Sequence, residues 1–181
     1  MSDRPEIETT ASTVVYRNRW ISVREDTIVR ADGSPGLYSV VDKPDFAVIA
    51  AVQDGHIHLV EQYRYPVGRR FWELPQGSWE AGAPDPVALA RAELREETGL
   101  SAGVMRHAGR LYGSYGLTSQ AFDLFFATEL SPGERALDPE EQGLITRAFT
   151  LAEFEAMVCD GVIVDAATVA ALGLLRLKGW L

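Results

Sequence analysis

One cysteine in 181 residues, Cys159, leaves no partner for a disulfide within the chain, which fits a reducing compartment. Positive charge is scarce too: 17 Lys and Arg stand against 26 Asp and Glu, a net charge of −9. That balance argues against a nucleic-acid backbone or an anionic membrane as the main partner. An anionic ligand would have to be held by local cations. Long apolar runs are missing as well. The most apolar late stretch, Val162 to Leu177, carries Asp165 and Arg176 and falls short of a membrane-spanning helix. The opening MSDRPEIETT is polar and has no apolar core of the kind a signal peptide needs, so the cytoplasm is the expected location. Repeats and low-complexity segments are absent. At this length one domain, with a small N-terminal extension, can bury a full core.

What is present centres on Phe71 to Leu100, FWELPQGSWEAGAPDPVALARAELREETGL. The stretch predicts a strand end, a Gly/Pro-rich loop and one helix. Asp85 and Pro86 suit an N-cap and a first turn, and Gly99 suits the left-handed residue that closes a helix. Val87, Ala90 and Leu94 recur at helical spacing and supply a packing face. Glu93, Glu96 and Glu97 fall at i, i+3 and i+4 on another side, over about 100° of arc. Like charges so spaced cost roughly 0.2–0.5 kcal/mol per pair. The helix dipole disfavours them further at this C-terminal end. A solvated acidic face is the ordinary explanation of a single ExxEE; a cation held by the three carboxylates is the functional one. Oxygen ligands without His or Cys suit a hard ion, Mg²⁺ or Mn²⁺, rather than zinc.

Taken in order, residues 1–12 read as disordered. Thr13 to Tyr16, Trp20 to Val29 and Leu37 to Val41 are strand-like around the turn cluster Ala31 to Gly36. This unit is too small to bury itself and needs its own domain or a second subunit. Phe46 to Val52 is a continuous apolar run, the mark of a strand buried on both faces. Asp54-Gly55 signals a hairpin into His56 to Gln62, where His56 and His58 read as ordinary strand positions. Val104 to Ser114 and Phe122 to Leu130 are predicted strands. A polar loop, Ser131 to Gly143, carries Glu140 and Glu141 ahead of a strand, Leu144 to Thr150. Thr150 and Glu153 form a capping box for a helix to Asp160, and Asp165 caps a last helix through Lys178. Both caps read as structural.

AELREETGL, Ala92 to Leu100, resembles the second half of the Nudix box, with Ala92 where the pattern has Arg. Gly77 resembles the opening glycine, one residue farther from Glu93 than the pattern. The middle Glu has no clean equivalent: Ala83 falls at its place, and Glu80 is the nearest carboxylate. Glu61 to Gly77, EQYRYPVGRRFWELPQG, resembles the ADP-ribose pyrophosphatase branch of that family. The resemblance implies an α+β fold, an α/β/α sandwich with a mixed sheet plus a small N-terminal antiparallel β unit. Residues 1–43 would be that unit, a dimerisation element exchanged in a homodimer, and 44–181 the Nudix domain. The resemblance further implies Mg²⁺ or Mn²⁺ on Glu93, Glu96, Glu97 and the Gln76 main-chain carbonyl, with Glu96 counted also among the catalytic carboxylates. Arg64 would contact the diphosphate, and Glu73, Gln120 and Trp72 are candidates to line the site. Gln120 stands where an acid is common. Glu141, with Glu140 as second choice, would be the general base. The implied reaction is metal-dependent hydrolysis of a nucleoside diphosphate linked to a sugar, ADP-ribose to AMP and ribose 5-phosphate in the first place. Alternatives are GDP-mannose or another nucleotide sugar, a dinucleotide polyphosphate, or a low-activity Nudix-fold ligand sensor.

Overall fold

The computed structural model describes residues 5–78, 85–137 and 142–181. Three strands, β1 (Ile7–Arg17), β2 (Ser22–Arg30) and β3 (Pro35–Asp42), form a separate antiparallel sheet in that order. The expectation of disorder through residue 12 is corrected: β1 starts at Ile7 and pairs with β2 from Ile7↔Arg30 to Arg17↔Ser22. Its first half is rich in β-branched residues but has no apolar face, so the ladder to β2 orders it rather than burial. Between the two strands the Asn18 side chain accepts from the N–H groups of Trp20 and Ile21, both at 2.9 Å. That local turn delays β2 to Ser22.

The larger sheet contains β4 (Phe46–Gln53), β5 (His56–Arg64), β6 (Arg69–Glu73), β7 (Gln76–Gly77), β8 (Leu100–Tyr112), β9 (Ala121–Pro132) and β10 (Ile145–Thr150). Its order is β10-β5-β4-β9-β8, with β6 on β5 and β7 on β4. β4 and β9 run parallel and the other pairs antiparallel, so the sheet is mixed. The apolar run of β4 is buried on both faces. Ala47, Ile49 and Ala51 pack with Leu89, Ala90 and Leu94 of α1 (Pro86–Thr98). Val48 and Ala50 belong to a second cluster with Phe154 of α2 (Leu151–Cys159) and Ala171 and Leu175 of α3 (Ala166–Leu177). The expected α/β/α sandwich is present. Full burial of Leu94 alone is worth about 1.5–3 kcal/mol.

The caps follow the sequence closely. Asp85 accepts from the Val87 N–H at 3.1 Å, and Gly99 sits at φ 73° with its N–H on the Arg95 carbonyl at 2.8 Å. A side chain would be strained at Gly99, which is why the helix ends there. β8 then begins at Leu100, four residues earlier than expected, because its pairing with β9 extends out to Leu100↔Pro132.

One departure from regular pairing shapes the site. β4 pairs with β5 only at Val52 and Gln53; near its start it takes β7 instead, at Ala47 and Val48. β5 meanwhile pairs with β6. The strands part between these ladders, and the residues around the opening line a cavity.

Candidate active site

The cavity measures about 590 Å³ and is lined by Lys43, Phe46, Arg64, Phe71, Glu73, Gln76, Gly77, Gln120 and Asp165, among others. That volume suits a ligand of nucleotide size. Two cations, Lys43 and Arg64, face it in a chain whose net charge is negative. An anion is therefore favoured locally against the overall field.

Arg64 is set in place by Glu73. The Glu73 carboxylate is buried and accepts from Gln62 Nε2 at 2.8 Å and from Arg64 Nε at 3.2 Å, with a further short ion pair to Arg64 Nη2. Burial pushes the Glu73 carboxyl above its ordinary range, and the Arg64 guanidinium pulls it back. Two anchored nitrogens leave the Arg64 fork held at the cavity wall, an orientation suited to phosphate oxygens.

Gln76 and Gly77 join the cavity to the carboxylates of α1. The Gln76 N–H donates to Glu97 Oε2 at 2.9 Å. Gly77 lies so close to Glu93 that a Cβ placed there would collide with the carboxylate. Glu93 and Glu97 are buried, while Glu96 keeps 29 % of its side chain exposed, 3.8 Å from Arg95. The solvated-face explanation therefore fails for two of the three. Their oxygen-only chemistry fits a hard divalent cation, and Gly77 lets the backbone come close against the Glu93 carboxylate. Among the described residues no three His, Cys, Asp or Glu side chains are converged closely enough to hold a metal. Glu97 is turned toward the Gln76 N–H, and Glu96 stands nearer solvent.

Of the other expected residues, Gln120 lines the cavity, but its Nε2 donates to the Pro44 carbonyl at 2.6 Å, so it fixes the wall. Trp72 packs edge-on against Phe149 at 4.9 Å, on the α2–α3 side of the core. Arg91 donates to the Ala102 carbonyl at 2.6 Å and ties α1 to β8; Ala92 holds the place of the pattern's Arg. Glu140, Glu141, Glu80 and Ala83 lie outside the described residues. Asp165 was read only as a cap, yet it lines the cavity. Lys43 and Phe46 were not singled out as site residues. No local spacing signals either one, because folding brings them to the site from the entry to β4.

A NUDIX domain pattern matches residues 43–167, and a nucleoside diphosphate sugar hydrolase N-terminal domain pattern matches residues 7–41. The chain belongs to the Nudix family. This Nudix chain is 30% identical over 169 residues to the ADP-ribose pyrophosphatase of Mycobacterium tuberculosis (strain ATCC 25618 / H37Rv), covering 92% of this chain and 82% of that one. It is 31% identical over 176 residues to the ADP-ribose pyrophosphatase of Bacillus subtilis (strain 168), covering 96% and 94%. A protein named methanol dehydrogenase activator, from Bacillus methanolicus, is 30% identical over 175 residues, with the same coverage of 96% and 94%. In fold, the Nudix chain matches the crystal structure of an ADP compounds hydrolase with a TM-score of 0.87 at 22% identity, over 99% of this chain and 98% of that one.

Proposed function

We propose that this Nudix chain hydrolyses the diphosphate bond of a nucleoside diphosphate linked to a sugar, with ADP-ribose cut to AMP and ribose 5-phosphate. The observation that carries the proposal is one wall with two chemistries. Gln76 and Gly77 touch the buried Glu97 and Glu93 on one side and line the Arg64 cavity on the other. The names of the two pyrophosphatase relatives support ADP-ribose as the first substrate.

In this reading Glu93, Glu96, Glu97 and the Gln76 carbonyl would hold Mg²⁺ or Mn²⁺, whose charge offsets that of the diphosphate and acidifies a nearby water. Arg64, oriented by Glu73, binds oxygens of the phosphate that is not attacked. Lys43 adds a second positive charge at the mouth of the site. Glu141, with Glu140 as the second choice, takes the proton from water as it adds to phosphorus and the P–O bond to the other phosphate breaks. Phe46 and Phe71 give the cavity its apolar walls.

Residues 1–43 are proposed as the dimerisation unit and 44–181 as the catalytic domain of a cytoplasmic homodimer. The exposed apolar residues of the N-terminal sheet, among them Val15, Tyr16 and Leu37, support that assembly. No described helix is long and apolar enough to cross a membrane.

Product chromatography tests the proposal with ADP-ribose, ADP-glucose, GDP-mannose, diadenosine polyphosphates and nucleoside triphosphates, each with and without Mg²⁺ or Mn²⁺. ADP-ribose should be cut fastest, yielding AMP, and only with metal. A faster GDP-mannose reaction would remove the substrate assignment. No turnover with any compound would remove the reaction itself.

A further inference from the structure

Successive residues from Glu73 to Gly77 are each fixed by a neighbour, and two of those neighbours, Ile49 of β4 and a residue of α3, lie outside the machinery above. Glu73 is held by Arg64, the Pro75 carbonyl accepts from Ile49 at 2.9 Å, Gln76 donates to Glu97, and Gly77 abuts Glu93. The remaining residue, Leu74, donates its N–H to Thr168 Oγ1 at 3.0 Å, across 94 positions of sequence. Thr168 is fully buried in the first turn of α3. Its hydroxyl donates in turn to Asp165 Oδ2 at 2.8 Å, and that same oxygen accepts the Thr168 N–H, also at 2.8 Å. Gln76 Nε2 stands 3.5 Å from it.

Capping α3 requires only the Asp165 carboxylate and the Thr168 N–H. The hydroxyl bond to Leu74 is additional, and it uses the two capacities of a hydroxyl at once, accepting from Leu74 and donating to Asp165. Proline has no N–H, so Leu74 and Gln76 are the only backbone donors between Glu73 and Gly77. One is bound to α3 and the other to α1.

We propose that Thr168, anchored by Asp165, is a positioning residue: it clamps the Leu74–Gln76 backbone from α3 so that the Gln76 carbonyl and the Glu97 carboxylate keep one fixed relation. The pair acts through that segment and does not itself touch reacting atoms in this role. The inference rests on the assignment of Gln76 and Glu97 as metal-holding groups.

Two readouts on the substrate-free protein test it: Mn²⁺ affinity by electron paramagnetic resonance, and hydrogen exchange at the Leu74 and Gln76 amides. Thr168→Val keeps the shape and removes the hydroxyl. It should weaken Mn²⁺ binding about tenfold, the scale of a lost hydrogen bond, and speed exchange at both amides; Thr168→Ser should restore both. Parent-like Mn²⁺ affinity in Thr168→Val would overturn the inference even if the melting temperature falls or amide exchange speeds up. A parent chain that binds no Mn²⁺ would overturn the metal assignment and this inference with it. Parent binding that is unaffected in the variant would overturn the inference alone. If Thr168→Val does not fold, Thr168→Ala serves instead: weaker Mn²⁺ binding with faster exchange at both amides supports the clamp, and unchanged binding overturns it.

Discussion

Arg64 and Glu73 carry the plainest residue-level consequence. Burial raises the Glu73 carboxyl above its ordinary value of 4.5, and Arg64 opposes the rise. A folded-state value above the unfolded one means the folded chain binds the proton more tightly. The stability Glu73 contributes is then fully present below about pH 4.5 and is lost as pH climbs through the folded value. Arg64→Ala removes the opposing charge and enlarges that loss. Its deficit in denaturant unfolding, relative to the parent, should be small near pH 4 and grow toward neutrality; a deficit that does not vary with pH would contradict this coupling. Both residues were legible in the sequence because QYRYPV and WELPQG are local words. Asp165 was legible only as a cap. Its role at the cavity depends on a fold that brings α3 to Gln76, 89 positions away, and no periodicity carries that information.

Among the elements, the contact of β7 with α1 decides most. The helix, its caps and its packing face were readable from spacing, since each depends on neighbours within one or two turns. Which of the three carboxylates are buried was not readable, because α1 presents them to β7, a strand of two residues with no pattern of its own. Gly77 makes that approach possible. Gly77→Ala would push against the Glu93 carboxylate, the flexible end of a side chain. It should therefore cost about 1–3 kcal/mol of stability at most. Activity should fall out of proportion, because Glu93 must swing out of its place. Thermal unfolding and turnover measured on the same preparation separate the two, and turnover that tracks stability alone would contradict the placement.

At the scale of the whole molecule, few bonds among the described residues join the N-terminal sheet to the main body. These include Val41 N–H to the Leu117 carbonyl at 2.9 Å and Tyr38 Oη to the Gly116 carbonyl at 3.0 Å. β1 is exposed along its length, with Val14, Val15 and Tyr16 each about half open. The sequence indicated that these strands need a covering surface; in the proposed dimer a second copy of the chain supplies it. Sedimentation equilibrium should give twice the chain mass, and Val15→Asp should shift the population toward monomer. A parent sedimenting at the mass of one chain would contradict the dimer. The sandwich itself was readable, because the unbroken apolar run of β4 requires cover on both faces. The early start of β1 was not, because its order comes from long-range pairing.

The most direct measurement is hydrolysis of ADP-ribose in Mg²⁺ by the parent and by Glu97→Gln, with AMP followed by chromatography and folding checked by circular dichroism. The parent should release AMP, and the variant should keep its spectrum while losing on the order of a hundredfold or more in rate, the scale of a lost electrostatic contact at a reacting centre. Equal rates in the two proteins would contradict the assignment of the α1 carboxylates to catalysis.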